Sequence, residues 1–340
     1  MKTRSFILTG ILALATGLVT AQQSLSARLD SLLTIKSPRP FNGVVLITQN
    51  GKTLYAKAYG YANRETKQAL NINDPFIIMS VTKQMTAVMV LQQVEKGRIR
   101  LQQTLHSYLP EIKDSWADSI TIHQLLNHTS GVVWFDAPLA FLPGTKYAYS
   151  NFGYSLLKSL LERTTGKPYT ELAAALFKKS GMTHSGITGH TPAVKGYREM
   201  PSGGLEASTD TIPDWHYAGA GVVSTARDLV RWNELLYGGK LLKDSCYQLM
   251  THVWEHRQHT VYGSIGTGYG IVVSDDKQEM GHTGYMPEMG FTLINFYYPA
   301  TRTSLIVMEN AGYSEKDIPR AYFFERNVRE ILLPTVIKKQ

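Results

Sequence analysis

The chain has 340 residues, of which 43% are hydrophobic and 18% charged, and its formal net charge is +8 at pH 7. The apolar share is ordinary for a globular protein, and the length suffices for one large domain or two. The basic residues are scattered, without a dense run or an aromatic-interleaved stripe, which argues against a nucleic-acid partner. The single cysteine, Cys246, excludes an internal disulfide and is expected to be a buried, inert thiol.

The N-terminus has the pattern of a secretory leader. Lys2 and Arg4 form a basic start, residues 6–19 are apolar, and residues 19–21 are typical of a cleavage site. We therefore predict a signal peptide over residues 1–21 and a periplasmic or secreted protein. An uncleaved anchor is the alternative, but the apolar run is shorter than the roughly 20 residues that span a bilayer. No later segment is apolar for long enough, so no stable membrane span is expected after cleavage.

The chain is expected to begin with a helix and a β-hairpin. Leucines at helical spacing predict a helix over residues 24–34. Residues 41–48 and 53–59 have strand composition, and Asn50-Gly51 between them is typical of a hairpin turn.

The middle of the chain is predicted to be mainly helical. One long helix opens at Ser80 and runs to about Lys96, and Gly97 is placed to end it. Its apolar residues line more than one face, which indicates a buried helix. Further helices are predicted before about residue 240, over residues 122–126, 154–163, 169–178 and 225–236.

Strand patterns return near the C-terminus, over residues 269–273, 290–297 and 303–308, and a helix over residues 317–333 follows. Because strands lie at both ends with helices between them, we predict an α+β fold. One antiparallel sheet is built from both chain ends and flanked by helices, with an inserted, mostly helical lobe. A single catalytic domain over residues 22–340 would then have a sheet lobe (about 22–75 and 240–340) and a helical lobe (about 76–239).

Three short motifs, far apart in the sequence, predict the chemistry. Ser80 and Lys83 are three residues apart at the start of the long helix, so they share one face. Unpaired N–H groups and the positive end of the helix dipole lie at such a start. They favour the oxyanion that forms when a serine attacks an acyl group. The other two motifs are Tyr149-Ser150-Asn151 and His282-Thr283-Gly284.

Each motif alone is a weak signal, because Ser-x-x-Lys and Tyr-x-Asn also occur elsewhere. The other copies are Ser155/Lys158, Ser274/Lys277 and Tyr61/Asn63. Ser155 is expected inside a helix and Ser274 in a polar turn, whereas only Ser80 follows a short apolar run and opens a long helix. The order and context of the three motifs therefore predict one acyl-transfer site.

Metal and phosphate chemistry are disfavoured. No His-Glu-x-x-His occurs, and His123 and His128 are five residues apart, off a common helical face. Residues 263–268 are glycine-rich but are predicted as a loop that leads into a strand, which does not fit a phosphate cradle. We expect no metal and no cofactor. Four further histidines are expected in polar, loop-like surface segments: His184, His190, His256 and His259.

The three motifs resemble the serine β-lactamase and penicillin-binding-protein superfamily, and most closely class C β-lactamases with their D-peptidase and esterase relatives. Further similar stretches are residues 125–131, 143–154 and 219–229, and the resemblance spans roughly residues 25–335. It implies the β-lactamase/transpeptidase-like fold and a serine hydrolase that forms an acyl-enzyme on a small-molecule or peptide acyl substrate.

The resemblance also implies roles, residue by residue. Ser80 would be the nucleophile, Lys83 its proton acceptor, and Tyr149 the group that passes the proton to the leaving group. Asn151 would hold a substrate amide, the third motif (His282, Thr283 and Gly284) would bind substrate, and the backbone N–H groups of Ser80 and Tyr285 would form the oxyanion hole. Whether Lys83 or Tyr149 is the working base stays open, because a charged Lys83 could instead anchor a Tyr149 phenolate.

One departure shifts the expected substrate. The third motif begins with His282, where typical β-lactamases have lysine, and a mostly neutral histidine would hold a substrate carboxylate less firmly. We therefore predict a secreted hydrolase of D-amino-acid peptides (DD-carboxypeptidase- or D-aminopeptidase-like) or of small acyl esters. A class C-like β-lactamase is the alternative, and a non-hydrolytic penicillin-recognising sensor or cell-wall-binding module is an alternative of another class. Substrate choice is expected to depend on the loops over residues 132–142 and 184–215.

Overall fold

The computed structural model describes residues 25–259 and 262–337. The predicted signal peptide over residues 1–21 lies outside this part of the chain. Among the described residues, none of the helices combines the length and the apolar character that crossing a bilayer requires.

The strands follow one another along the chain as β1 (Gly43–Gln49), β2 (Lys52–Tyr59), β3 (Tyr61–Asn63), β4 (Gln68–Ala69), β5 (Phe76–Ile77), β6 (Gly186–Ile187), β7 (Tyr197–Glu199), β8 (Leu205–Ala207), β9 (Val222–Ser224), β10 (Glu255–His259), β11 (Gly263–Thr267), β12 (Val272–Val273), β13 (Met280–Met286), β14 (Phe291–Tyr298), β15 (Thr303–Glu309) and β16 (Ala311–Gly312).

The α-helices are α1 (25–33), α2 (Thr82–Glu95), α3 (Ile122–Leu126), α4 (Asn151–Thr165), α5 (Tyr169–Ser180), α6 (Tyr217–Ala220), α7 (Ala226–Leu236), α8 (Asp244–Thr251), α9 (Ile318–Ala321) and α10 (Phe323–Val336).

A large antiparallel sheet organises the molecule. Its strands lie in the order β10-β11-β12-β13-β14-β15-β1-β2. The N-terminal hairpin joins the C-terminal strands through β1 and β15, with Gly43 opposite Glu309. The predicted α+β fold, with one sheet built from both chain ends and helices inserted between them, is therefore confirmed. The residue limits of the two predicted lobes remain a prediction.

Helices cover both faces of this sheet, so its central strands are buried on both sides. Val45 and Ile47 of β1 pack on one face in a core cluster that includes residues of α1 and α10. Val44 and Leu46 point to the other face and join the larger core that includes α2 and α7. Strands buried on two faces are apolar throughout rather than alternating, as β1 is.

Helix α2 forms the centre of the helical part, as its all-round apolar composition predicts. It packs against α4, α5, α6 and α8. It ends at Glu95, and Gly97 just beyond it has a φ of +70° and donates its N–H to Val94 O. Because α2 is held on all sides, its N-terminal end has a fixed position next to the sheet, and this end carries the first motif.

Four sequence-based predictions differ from the structure. Residues 263–268, predicted as a loop, contain the strand β11, and His256 and His259, predicted in loop-like segments, lie in β10, with which β11 pairs. The predicted C-terminal helix is divided into α9 and α10 at Tyr322, and the strand predicted over residues 269–273 is only Val272–Val273. Strands β10 and β11 pair through backbone hydrogen bonds, which polar and glycine residues also form. Such strands have no alternation of apolar and polar residues, so their sequence does not indicate a strand.

Candidate active site

Ser80 lies in a short 3-10 turn, Met79–Val81, that leads directly into α2. The residue before it, Met79, is fully buried and has a φ of +47°. A left-handed conformation is unfavourable for a residue with a bulky side chain, so the surrounding core must hold this turn in place. The turn keeps Ser80 at the sheet end of the helix with its side chain half-buried.

Strand β13 runs beside this turn because Gly284 allows the two backbones to approach closely. A Cβ at Gly284 would lie 2.8 Å from Ile78 O, which is too close for a real side chain. On one edge β13 pairs with β14 along its whole length, whereas β12, in the described residues, pairs only with Met280 and Gly281. From His282 onwards, the other edge of β13 is therefore open and contacts the Ser80 turn.

Lys83 is fully buried one helical turn after Ser80. Its Nζ lies 3.2 Å from Ser80 Oγ, 2.9 Å from Asn151 Oδ1 and 2.8 Å from Gly219 O. No described carboxylate forms an ion pair with it. Burial without a compensating negative charge lowers the pKa of Lys83 from 10.5 to about 7.

Tyr149 connects the second motif to the first. Its hydroxyl donates a hydrogen bond of 2.8 Å to Ser80 Oγ, and Lys83 Nζ lies 4.9 Å from the centre of its ring. Although 39% of the residue is exposed, loss of water around the phenol raises the pKa of Tyr149 to about 12, and the hydrogen bond to Ser80 opposes this rise only in part. The phenol is therefore protonated at neutral pH.

Asn151 is the first residue of α4, and His128 fixes the chain immediately before it. Ser150 caps α4 by accepting a hydrogen bond from the Gly153 N–H, while its own N–H donates to His128 Nδ1 at 3.1 Å. The ring of His128 stacks on that of Tyr149 with the centroids 4.5 Å apart. Burial holds the pKa of His128 well below its usual value, so the imidazole is neutral and accepts through Nδ1.

His128 was not selected from the sequence as a site residue. Its only signal was its position in the Leu125–Gly131 stretch, which contributed to the family resemblance. Its backbone has a φ of +62°, a second buried left-handed residue near Ser80.

The third motif lies on the open part of β13. His282 is buried, and its ring centre lies 6.5 Å from that of Tyr149. Burial, reinforced by the charge of Lys83, lowers the pKa of His282 to about 3, so this histidine is neutral. Thr283 lines a cavity of about 120 Å³ with Tyr262 and Arg329. Tyr285 follows Gly284 on the same strand, and its side-chain hydroxyl donates to Tyr313 O.

The structure thus brings together residues from all three motifs. Direct hydrogen bonds join Ser80 to Lys83 and Tyr149, and Lys83 to Asn151. His282 and Gly284 reach the same place through β13. In the described residues, no group of three or more His, Cys, Asp or Glu is arranged to hold a metal ion.

An aromatic cavity of about 330 Å³ opens beside Tyr149 and Asn151. Its apolar wall includes Trp134, Phe152 and Trp215, and the two tryptophans are each 46% exposed. A neighbouring cavity of about 390 Å³ shares these three aromatic residues. Trp134 and Trp215 belong to the two loops that were expected to set substrate choice.

Arg257 is a second residue that the sequence did not identify. It lies in β10, and its guanidinium carbon is 6.0 Å from the centre of the Tyr149 ring. The surrounding sequence, Glu-His-Arg-Gln-His, has no apolar alternation, so no strand was predicted there and no position relative to the motifs could be assigned.

Comparison with known proteins places the chain in a family. A sequence model described as Beta-lactamase matches residues 39–329. The chain is 28% identical over 301 residues to the putative penicillin-binding protein PbpX of Bacillus subtilis (strain 168), covering 81% of this chain and 72% of that protein. It is 31% identical over 209 residues to esterase EstB of Burkholderia gladioli, covering 50% of this chain and 53% of that protein.

A solved structure shares the fold. D-amino acid amidase from Ochrobactrum anthropi SV3, complexed with L-phenylalanine amide, matches with a TM-score of 0.77 at 23% identity, over 92% of this chain and 98% of that one.

Proposed function

We propose that this chain, which belongs to the beta-lactamase family and is a serine hydrolase, works through an acyl-enzyme formed on Ser80. Ser80 would be the nucleophile, Lys83 the base that removes its proton, and Tyr149 the acid that protonates the leaving group.

The observation that carries this proposal is the set of three contacts around Lys83. A neutral amine has two hydrogens and one lone pair. Asn151 Oδ1 and Gly219 O, at 2.9 and 2.8 Å, can accept the two hydrogens, which leaves the lone pair for the Ser80 hydroxyl at 3.2 Å. Ser80 Oγ in turn accepts from Tyr149. Every hydrogen bond is satisfied when Lys83 is neutral, which is the state that a base requires.

The lowered pKa makes this state common. With a pKa of about 7, about half of the Lys83 side chains are neutral at pH 7, whereas with the ordinary value of 10.5 about one in 3,000 would be. The pKa of Tyr149, raised to about 12, favours the phenol as a proton donor rather than as a phenolate base. The lowered pKa of Lys83 and the raised pKa of Tyr149 both support Lys83 as the working base.

The proposed reaction follows from these positions. Lys83 takes the Ser80 proton as Ser80 Oγ attacks the acyl carbon, and the backbone N–H groups of Ser80 and Tyr285 stabilise the oxyanion. Tyr149 gives its proton to the leaving group as the scissile bond breaks, and protonated Lys83 restores the Tyr149 proton. A water molecule then attacks the acyl carbon while the same groups take its proton. The bond between that carbon and Ser80 Oγ breaks, and the proton returns to Ser80 Oγ as the acid is released.

For the substrate, we propose D-amino-acid peptides or small acyl esters with an apolar acyl group. The aromatic cavity beside Tyr149 and Asn151 supports this choice, because apolar walls with a few polar groups are typical of small-molecule sites. Two of the similar proteins are an esterase and a D-amino acid amidase. Asn151 would hold a substrate amide, and His282, Thr283 and Gly284 would bind substrate along the open edge of β13.

The nucleophile is tested by mass spectrometry of the intact protein. After incubation with a penicillin or a 4-nitrophenyl ester, the wild type should gain the mass of one acyl group, and Ser80→Ala should gain none. Ser155→Ala is the matched control, because Ser155 lies in a second Ser-x-x-Lys segment within α4, and it should be acylated like the wild type. An adduct on Ser80→Ala would refute the assignment.

The substrate class is tested by turnover. A panel should contain a peptide ending in D-Ala-D-Ala, a D-amino acid amide, a 4-nitrophenyl ester and a chromogenic cephalosporin. Fastest turnover of the cephalosporin would favour the class C-like β-lactamase instead. Acylation by penicillin without turnover of any member would favour the non-hydrolytic sensor.

We also propose that residues 1–21 direct export. N-terminal sequencing of the protein made in its own cells should then begin at Gln22, and a chain that still begins at Met1 would contradict this.

A further inference from the structure

We propose that Arg257 binds a carboxylate of the substrate, so that acyl substrates with a free carboxylate are preferred over their neutral analogues. This inference rests on the function proposed at Ser80, because it places the carboxylate beside the serine that would be acylated.

The position of Arg257 follows from the strand pairing at one edge of the large sheet. β10 pairs with β11, with Arg257 opposite Ile265. The next strand, β12, is only two residues long, so it leaves the edge of β13 open from His282 onwards. On β10, Arg257 brings its guanidinium carbon to 6.0 Å from the ring of Tyr149, whose hydroxyl contacts Ser80. The guanidinium therefore lies at the catalytic cleft.

Arg257 also lacks a hydrogen-bond or ion-pair partner among the described residues. Its Nε is buried and forms no hydrogen bond there, and none of the described carboxylates is close enough for an ion pair. The well-paired arginines behave differently: Arg39, Arg320 and Arg329 each hold a glutamate with short ion pairs. A buried guanidinium nitrogen without an acceptor is unfavourable, so a ligand that supplies one would gain from it.

The charged groups around the site favour a negatively charged ligand. His128 and His282 are neutral because burial lowers the pKa of each. Lys83, with its pKa lowered to about 7, is charged in only part of the molecules at neutral pH. Arg257 carries a positively charged guanidinium. A neutral His282 cannot supply a permanent positive charge to a substrate, whereas Arg257 can, with two parallel N–H donors that match a carboxylate.

The test uses esters that differ only by a carboxylate. One pair places it on the acyl side: 4-nitrophenyl hydrogen succinate and 4-nitrophenyl butyrate. The other places it on the leaving group: the 3-carboxy-4-nitrophenyl and 4-nitrophenyl esters of butyric acid. KM and kcat are measured for the wild type, Arg257→Gln and Arg257→Lys. Arg100→Gln is the charge-matched control, because Arg100 is exposed beyond the far end of α2, about 20 Å from Ser80.

We expect Arg257→Gln to raise KM for the carboxylated ester of one pair about tenfold or more, while kcat/KM for the neutral esters stays within about twofold. Arg257→Lys should restore part of the preference, and Arg100→Gln should change nothing. Equal losses on charged and neutral esters would show a structural role and overturn the proposal, as would an unchanged preference in both pairs. A wild type that is not acylated by any ester would instead refute the hydrolase proposed at Ser80.

Discussion

Lys83 and Lys158 occupy the same position in two Ser-x-x-Lys segments, on helices α2 and α4 that pack against each other. Both side chains are buried. Lys158 Nζ pairs with Asp214 at 2.7 Å and with Glu162 at 3.1 Å. Lys83 Nζ meets a hydroxyl, an amide oxygen and a backbone carbonyl.

The two lysines consequently titrate in opposite directions. Hydrogen bonds to Asp214 and Glu162 outweigh burial and raise the pKa of Lys158, whereas burial alone lowers the pKa of Lys83 to about 7. The two segments have nearly the same local sequence pattern, although Lys83 is fully buried and Lys158 lies closer to the surface, beside carboxylates that are partly exposed. What distinguishes a base from a structural cation here is the charge of its partners, which lie far away in the sequence.

The largest expected effect comes from removing each lysine in turn. Lys83→Met should lower kcat/KM at pH 8 by about a thousandfold or more, because it removes the proposed base. Lys158→Met should leave kcat/KM within about threefold. Hydrolysis of a 4-nitrophenyl ester measures both. Similar losses of kcat/KM in the two variants would contradict this, because they would mean that activity depends on the positive charges of both lysines rather than on a neutral Lys83.

Giving Lys83 the kind of partner that Lys158 has should make it a poorer base. Asn151→Asp would place a carboxylate at Lys83 Nζ, where Asn151 Oδ1 now lies at 2.9 Å. An adjacent opposite charge raises a lysine pKa by one unit or more, so kcat/KM at pH 7 should fall about 10- to 100-fold. The rising limb of the pH profile should move upwards by about one to two pH units.

The pH at which the rising limb of the profile lies distinguishes a raised pKa of Lys83 from simple loss of the Asn151 amide. Loss of the amide would lower activity equally at every pH. Asn63→Asp makes the same change in the other Tyr-x-Asn segment, at the end of β3, and should leave the profile unchanged. A limb that does not move in Asn151→Asp would contradict the assignment of Lys83 as the base.

The buried Lys83 should also make stability depend on pH. Below pH 7 its amine is charged in both the folded and unfolded chain, and burying that charge opposes folding by up to about 5 kcal/mol. This penalty fades as the pH rises from about 7 towards 10.5. In this range the folded chain has lost the proton and the unfolded chain still holds it, so a rising pH disfavours the unfolded chain. Relative to Lys83→Met, the wild type should therefore gain free energy of unfolding between pH 7 and 10. Urea unfolding of both proteins across this range measures the difference, and a flat difference would count against the lowered pKa.

The smallest effect is expected for the paired lysine. Lys158→Met should lower the free energy of unfolding by no more than about 1 kcal/mol, because Asp214 and Glu162 are partly exposed and water replaces their partner. Since the pKa of Lys158 is raised above 10.5, its contribution is present throughout neutral pH and is lost only at higher pH. Urea unfolding at pH 7 measures it. Lys167→Met, which removes an exposed ion pair with Glu171 of α5, gives the reference for a surface pair.

Local patterns in the sequence predicted the parts of the site that are local in the structure. Ser80 and Lys83 lie within one helical turn, and Tyr149 and Asn151 are two residues apart at a helix start. Spacing alone places such residues on one face or one terminus. The central sheet was predictable for a similar reason, since its strands near the C-terminus are long and apolar.

Long-range partners were not predictable. Gly219, whose carbonyl contacts Lys83, lies 136 residues away on the short helix α6, and no motif marks a backbone oxygen. Arg257 lies on an edge strand whose residues are polar on both faces, so no pattern fixed its register or direction. The left-handed φ of Met79 was not predictable either, because methionine has no preference for that conformation.

The pairing of β1 with β15 has a consequence for how the enzyme is made. Residue 49 leaves the ribosome about 260 residues before residue 309, and at ordinary rates of translation that interval is on the order of tens of seconds. Throughout it, the N-terminal hairpin lacks the neighbour on which it docks, and the serine and its lysine emerge before the strand that lies beside them. Nascent or prematurely terminated chains that stop short of β15 should therefore have no activity at all, and their exposed strand edge makes them natural clients for chaperones.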